Sequence, residues 1–235
     1  MNKEPTLFRI DRLELAFKPK PWAFAVERRA EIDDYFAQHQ RENPALFNGR
    51  VLLLYHQVVR DGVFYGDFLE TDYASFFAWN GWGRPPAGVR DCYGSAAVVG
   101  SDGGVLLGVM NAHTANAGRI YFPCGTPDLD DIVDGTVDFD VSVRRELMEE
   151  TGIDAATLMP EPDWTAVIDG VLIMHVKLFR SHETAEVLRA RALAHIARER
   201  QPELCDVRVV RGRADFDPAM PRFVTAFLVQ HFGVR

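Results

Sequence analysis

Cysteine is scarce in this chain. Cys92, Cys124 and Cys205 are the three in 235 residues. An odd number at wide spacing excludes a disulfide framework and the paired CxxC of a zinc site. It suits a reducing compartment, so a cytoplasmic protein is expected. Long apolar runs are missing too. No stretch of about 18 apolar residues occurs, which leaves nothing to span a bilayer as a helix. The opening MNKEPTLFRIDRLELAF carries charge throughout and has no apolar segment of the kind that marks a secretory signal. Positive charge is in deficit: 26 Lys and Arg stand against 34 Asp and Glu, a net charge of −8. A basic field that would hold nucleic acid is therefore excluded. A polyanionic small substrate would need a metal ion or a local group of arginines.

What is present is globular. Hydrophobic residues make up 47% and charged residues 26%, enough to bury a sizeable core as one large domain or a domain with an extension. Residues 7–17 alternate in part and read as one strand, ended by KPKP. A helix is expected from Trp22 to Arg41, with Ala25, Ile32 and Phe36 on its apolar side. Strands follow at 50–58 and 63–70 around the turn Arg60-Asp61-Gly62, then a short helix at 72–79. NGWGRPPAG, at 80–88, is the best linker, so the expected division is an N-terminal α+β region, 1–88, and a second domain, 89–235. The second region begins with two strands in 93–110 and a short one in 119–125. A long loop, 126–140, carries six aspartates: Asp128, Asp130, Asp131, Asp134, Asp138 and Asp140. A helix is then expected from about Asp140, as cap, to Thr151, closed by Gly152. A hairpin around Asp169-Gly170 follows, with a helix over 184–200 whose core candidates are Val187, Leu188, Ala192 and Ile196. A strand at 206–210 and a helix over 221–232 close the chain. Strands mixed with a few helices imply an α/β sandwich.

The helix RRELMEETGID, 144–154, holds the chemistry. Glu146, Glu149 and Glu150 stand at i, i+3 and i+4 and so share one side, with Ser142 leaving room above Glu146. Val143 and Leu147 fall on the adjacent side and can face a core. Three carboxylates in one turn repel one another by a few tenths of a kcal/mol per pair, and the helix dipole disfavours anions at this end. A Mg²⁺ or Mn²⁺ ion would reverse the sign, because hard cations take carboxylate, phosphate and water oxygens. For three glutamates alone, a solvated face with Arg145 paired to Glu149 is the better explanation. The whole string R-E-L-x-E-E-x-G-I changes that weighing, since a chance match in a chain this long is on the order of one in ten thousand at average residue usage.

RRELMEETGI resembles the second half of the Nudix box, the signature of Nudix hydrolases. The resemblance implies a Nudix-type α/β/α sandwich with a mixed sheet, preceded here by the N-terminal α+β extension. It implies that Glu146, Glu149 and Glu150 bind catalytic Mg²⁺ or Mn²⁺, that Arg145 orients them and that Gly152 ends the helix. FPCG, at 122–125, is similar to the family's strand-end PGG, so the carbonyl of Cys124 could be a further metal ligand. The first half of the box departs: Asp131 and Val137 stand where the family places Gly and an early Glu, as though the loop were lengthened. In the family a metal neutralises a diphosphate and an activated water attacks phosphorus. Glu146 or Glu150 can take that water's proton, and His182, Glu183 and Glu186 offer acids or bases from a later loop. Glu183 and Glu186 are also well explained as the start of a helix. Arg119 and Arg90 are candidates to hold substrate phosphate, against the simpler role of surface arginines at strand ends. Tyr73, Trp79, Trp82 and Tyr121 could stack on a base, though aromatics more often fill cores.

NPALFNGRVLLLYH and ETDYASFFAW resemble, more loosely, the N-terminal region of the Nudix branch that hydrolyses UDP-sugars such as UDP-glucose. The resemblance implies a small-molecule nucleoside diphosphate substrate, with ADP-ribose, dinucleotides, CoA and oxidised nucleotides still open. An apolar N-terminal half suits a homodimer interface. Two other readings compete: a Nudix-like sensor that binds a nucleotide-linked metabolite without turnover, and a plain interaction domain whose acidic helix face is solvated.

Overall fold

The computed structural model describes residues 4–234. They form two compact units, each discontinuous in sequence. The first gathers the described residues of 1–11, 93–125 and 140–235; the second consists of 12–92 and 126–139. The expected boundary at 88/89 is a single cut, whereas the chain passes between the units at 11/12, 92/93, 125/126 and 139/140.

The reason begins at Asp11. Residues 7–17 are two strands, not one: β1, Thr6–Ile10, and β2, Arg12–Phe17. Ile10 and Leu15 are both buried, yet five positions apart on a single strand they would face opposite sides. The bend at Asp11 lets each reach its own core. β1 pairs antiparallel with β10, Met159–Asp169, in the first unit. β2 runs parallel to β4, Val63–Asp72, in the second.

In the first unit the seven-stranded sheet runs β1-β10-β11-β5-β6-β12, with β7 on the side of β6. Here β5 is Asp91–Val99, β6 Val105–Met110, β7 Ile120–Tyr121, β11 Leu172–Arg180 and β12 Leu204–Val210. β10 and β11 form the expected hairpin, with Gly170 at φ 64°. Helix α6, Arg222–Phe232, packs Val224, Phe227 and Leu228 against Tyr93, Ala97, Val99, Phe122 and Val176. Helix α4, Phe139–Thr151, buries Val143 and Leu147 completely, the i, i+4 pair expected to face a core. Helix α5, Ala185–Ile196, buries Leu188 and Ala192. Val187, expected inside, is 47% exposed, because the buried stripe runs through positions four apart.

The second unit has a five-stranded sheet, β3-β4-β2-β9-β8, with β3 spanning Arg50–Arg60. The expected helix over 22–41 is broken at Arg28 (φ −111°, ψ 21°) into α1, Ala23–Glu27, and α2, Arg29–Glu42. Helix α3, Tyr73–Gly81, starts at Asp72, whose carboxylate accepts from the Ser75 backbone N–H at 2.9 Å. Ile32, Phe36, Ala74 and Ala78 form the core between α2 and α3. The aspartate-rich stretch is not a plain loop. A 3₁₀ turn, Leu129–Asp131, is capped by Asp128 and Asp131. A hairpin follows, β8 Ile132–Val133 and β9 Thr136–Val137. Its turn residues Asp134 and Gly135 have φ of 49° and 78°, the paired positive values of a tight type I′ turn. β9 joins β2 at Ala16↔Thr136, which puts this stretch in the second unit. No helix among the described residues is long and apolar enough to cross a membrane.

Candidate functional site

The acids of α4 sit where the helix must end. Leu147 and Val143 fix its rotation by burial, which brings Glu146, Glu149 and Glu150 to the flank of that buried stripe. The last carbonyls of a helix lack intrahelical partners. Here Met148 O accepts from Gly152 N at 2.8 Å, Thr151 Oγ1 donates to Leu147 O, and Gly152 takes φ 65°. The helix starts one residue earlier than expected, at Phe139. Asp140 is thus not the cap; it lies in the first turn, where the dipole favours an acid, and accepts from Arg144 at 2.6 Å.

The three glutamates differ in setting. Glu149 is the exposed one and Glu146 is nearly buried. Arg145 Nη1 spans them, at 2.9 Å from Glu146 Oε1 and 3.3 Å from Glu149 Oε2. Glu150 is 6% exposed. Its Oε1 accepts from the Cys124 backbone N–H at 3.2 Å, while Oε2 is buried with no hydrogen-bond partner among the described residues. Burial first, and then the charges of Glu146, Glu203 and Glu149, hold the Glu150 carboxyl well above the usual range. Gly125 closes over the same place: a Cβ there would lie 2.3 Å from Glu146 Oε1. The half-buried Tyr121 phenol accepts from Asn116 at 3.2 Å. It is pushed up by burial and by Cys124, Glu150 and Glu203.

The other residues singled out in the sequence are placed as follows. Cys124 supplies the N–H to Glu150, and its side chain packs against the core of the first unit. Arg119 is exposed ahead of β7, its N–H closing a turn on Asn116 O. Arg90 belongs to the second unit, bridged to Leu54 through both backbone groups. Glu183 pairs with Arg191 and Glu186 with Arg211, around α5 itself. Tyr73, Trp79 and Trp82 lie in the second unit. Trp79 is fully buried, its indole N–H donating to Pro85 O at 2.8 Å. Two residues of this neighbourhood carried no sequence signal. Glu203 precedes β12, its carbonyl accepting from Asn111 N at 2.7 Å. His195, on α5, places Nε2 2.9 Å from the Glu149 carbonyl oxygen.

These residues fit a divalent cation. Burial and the neighbouring carboxylates of Glu146, Glu203 and Glu149 raise the proton affinity of Glu150, whose Oε2 is buried without a hydrogen-bond partner among the described residues, and Arg145 faces Glu146 and Glu149 instead. Among the described residues no three of His, Cys, Asp or Glu stand together as a finished cage. A cation here would complete its shell with substrate phosphate and water, as Mg²⁺ commonly does.

The sequence matches no family model and no curated protein. Solved structures similar to it include a Nudix hydrolase from M. smegmatis, RenU, at 14% identity, covering 61% of this chain and 86% of that one with a TM-score of 0.38. A bifunctional NMN adenylyltransferase/ADP ribose pyrophosphatase from Francisella tularensis, complexed with AMP and Mn ion, is similar at 17% identity over 66% of this chain and 46% of its own, TM-score 0.40. The MutT protein of Methanosarcina mazei Go1 stands at 16% identity over 60% and 91%, TM-score 0.35. Each likeness is confined to part of the chain and is too distant to carry a role from one protein to the other.

Proposed function

We propose that this chain is a Nudix-type, divalent-metal-dependent pyrophosphohydrolase. Its substrate would be a nucleoside diphosphate linked to a second group, cut to a nucleoside monophosphate and the phosphate of that group. The observation that carries the reading is Glu150. A buried carboxylate oxygen without a partner, next to Glu146 and Glu203 and on a helix spelling RELMEETGI, is costly to the fold unless a cation meets it.

A bound Mg²⁺ or Mn²⁺ would neutralise the diphosphate and polarise the phosphorus under attack. The chain's own residues then divide the labour. The Cys124 N–H holds Oε1 of Glu150, and Oε2, which has no partner among the described residues, would be the oxygen available to a cation. Arg145 holds Glu146 and Glu149 in register across one turn. The bare Cα of Gly125 lets Glu146 come up against the 122–125 strand end. Glu146 or Glu150 would take the proton from the attacking water. Arg119 would meet the substrate phosphates; Arg119→Ala should raise KM with kcat little changed. The nucleotide sugar, UDP-glucose first, is the substrate suggested by NPALFNGRVLLLYH.

The test is phosphate-ester release from UDP-glucose, ADP-ribose, diadenosine polyphosphates and CoA, with Mg²⁺, with Mn²⁺ and with EDTA. Metal-dependent cleavage of one class sustains the reading. Binding of a nucleotide-linked compound without cleavage of any replaces it with the sensor. Neither cleavage nor metal binding leaves the acidic face solvated and overturns both.

A further inference from the structure

The last turn of α4 contains no basic residue. Helix C-termini are commonly completed by Lys, Arg or His reaching the final carbonyls. Here the group comes from far along the chain. His195 Nε2 stands 2.9 Å from the carbonyl oxygen of Glu149. A carbonyl oxygen only accepts, so Nε2 carries the proton. The ring also lies against Gly152. A Cβ on that residue would come within 2.7 Å of His195 Cγ and Nδ1, so the glycine is needed for the ring's approach as well as for its positive φ.

The helix that presents His195 is itself held at several points. At its start, the Ala185 N–H donates to Asp102 Oδ1 at 2.9 Å, in place of a side-chain cap from Thr184. Along its length, Arg189 donates to Val207 O at 2.6 Å and to Asp206 Oδ1 at 3.0 Å, fixing α5 to β12. Leu188 and Ala192 are buried beneath it. The same strand region brings Glu203 toward Glu150. α5 is therefore a strut whose far end closes on the peptide that joins Glu149 to Glu150.

We propose that His195 is a positioning residue for the metal-binding end of α4: by donating to the Glu149 carbonyl it fixes the peptide from which Glu150 projects. It touches neither substrate nor cation and acts through α4. The proposal rests on the reading of Glu149 and Glu150 as metal ligands.

The experiment compares the wild type with His195→Ala, His195→Gln and Leu188→Ala. Gln can offer an N–H close to the position of Nε2. Leu188→Ala weakens the packing of α5 and leaves the hydrogen bond in place. Two quantities are read besides the melting temperature: Mn²⁺ affinity in the absence of substrate, and amide exchange at Gly152 and Ile153. His195→Ala should weaken Mn²⁺ binding about tenfold, the scale of a lost outer hydrogen bond to a metal site. It should also speed exchange at both amides about tenfold. His195→Gln should restore most of each. Leu188→Ala should lower the melting temperature and leave Mn²⁺ affinity within about twofold. The proposal is overturned if His195→Ala binds Mn²⁺ as the wild type does, if Leu188→Ala loses affinity to the same extent, or if Gln rescues nothing. A wild type that binds no Mn²⁺ refutes the metal reading instead. Exchange then decides the clamp alone: opened in Ala and restored in Gln sustains it, and no difference overturns it.

Discussion

Gly125 and Glu146 approach so closely that a single added carbon on the glycine would lie 2.3 Å from the glutamate's Oε1. The strand end and the helix are thus fitted to each other at the one point where a carboxylate must stand free of bulk. Gly125→Ala should displace Glu146 and lower kcat on the cleaved substrate by about 10²-fold, since small misplacements of a reacting group have effects of that order. The far end of the Glu146 side chain can swing aside, so the loss of stability should be small, about 1 kcal/mol. Kinetics beside urea unfolding checks this; an unchanged kcat would remove Glu146 from the chemistry.

Glu146 and Glu150 should separate when each is neutralised. Glu150→Gln removes a carboxyl whose Oε2 has no partner among the described residues and whose ionisation burial disfavours, so the metal-free protein should gain about 1–3 kcal/mol and lose Mn²⁺ binding. Glu146→Gln should weaken Mn²⁺ binding less than Glu150→Gln does and lose turnover. Calorimetry without metal and Mn²⁺ titration decide the pair. A metal-free Glu150→Gln protein that unfolds would make the cluster structural.

Asp91 gives a pH dependence in the second unit. Its carboxylate is 5% exposed and 3.0 Å from Arg84 Nη2. Burial pushes it up to about 6, with Arg84 opposing. A carboxyl whose folded value lies above its unfolded value binds its proton more tightly in the native state. Its contribution is therefore most favourable below about pH 4 and is lost as pH rises through 6. Asp91→Asn should match the wild type near pH 4 and become the more stable of the two toward pH 7, by up to about 3 kcal/mol. Urea midpoints across this range are the measurement; parallel curves would refute it.

Gly152 and His195 should couple. Gly152→Ala alone meets both the positive φ and the imidazole ring, and should lose more than the roughly 1–2 kcal/mol of the left-handed conformation. In the His195→Ala background the ring is gone and only the backbone term is left. The two losses should thus sum to more than the double variant shows, a non-additivity that a double-mutant cycle reads directly.

Much of α4 is legible in the sequence because its determinants are local. Val143 and Leu147 give the buried stripe, Glu146, Glu149 and Glu150 the acidic flank, and Gly152 the end. The turn at Asp134-Gly135 is written there as well, but strands of two residues are too short for periodicity to mark, and the hairpin gains its place from β2, more than a hundred residues earlier. The break at Asp11 is hidden because LFRIDRLELAF alternates well enough for one strand; only the two partners, β10 and β4, reveal two. Glu203 and His195 are ordinary residues of their own segments. What makes them matter is their approach to Glu150 and Glu149, a tertiary fact with no periodic or local trace.

The interleaving of the two units limits how the chain can be divided. A fragment beginning at residue 89 would lack β1, exposing the edge of β10, and would carry the β8–β9 hairpin without β2, the strand that β9 pairs with. The complementary fragment would hold β1 with no sheet to join. Proteolysis or truncation between residues 80 and 88 should yield two pieces that persist only in each other's company, and a deletion inside 126–139 would register at a sheet edge in one unit and in the start of α4 in the other. The protein thus folds, and is lost, as a whole.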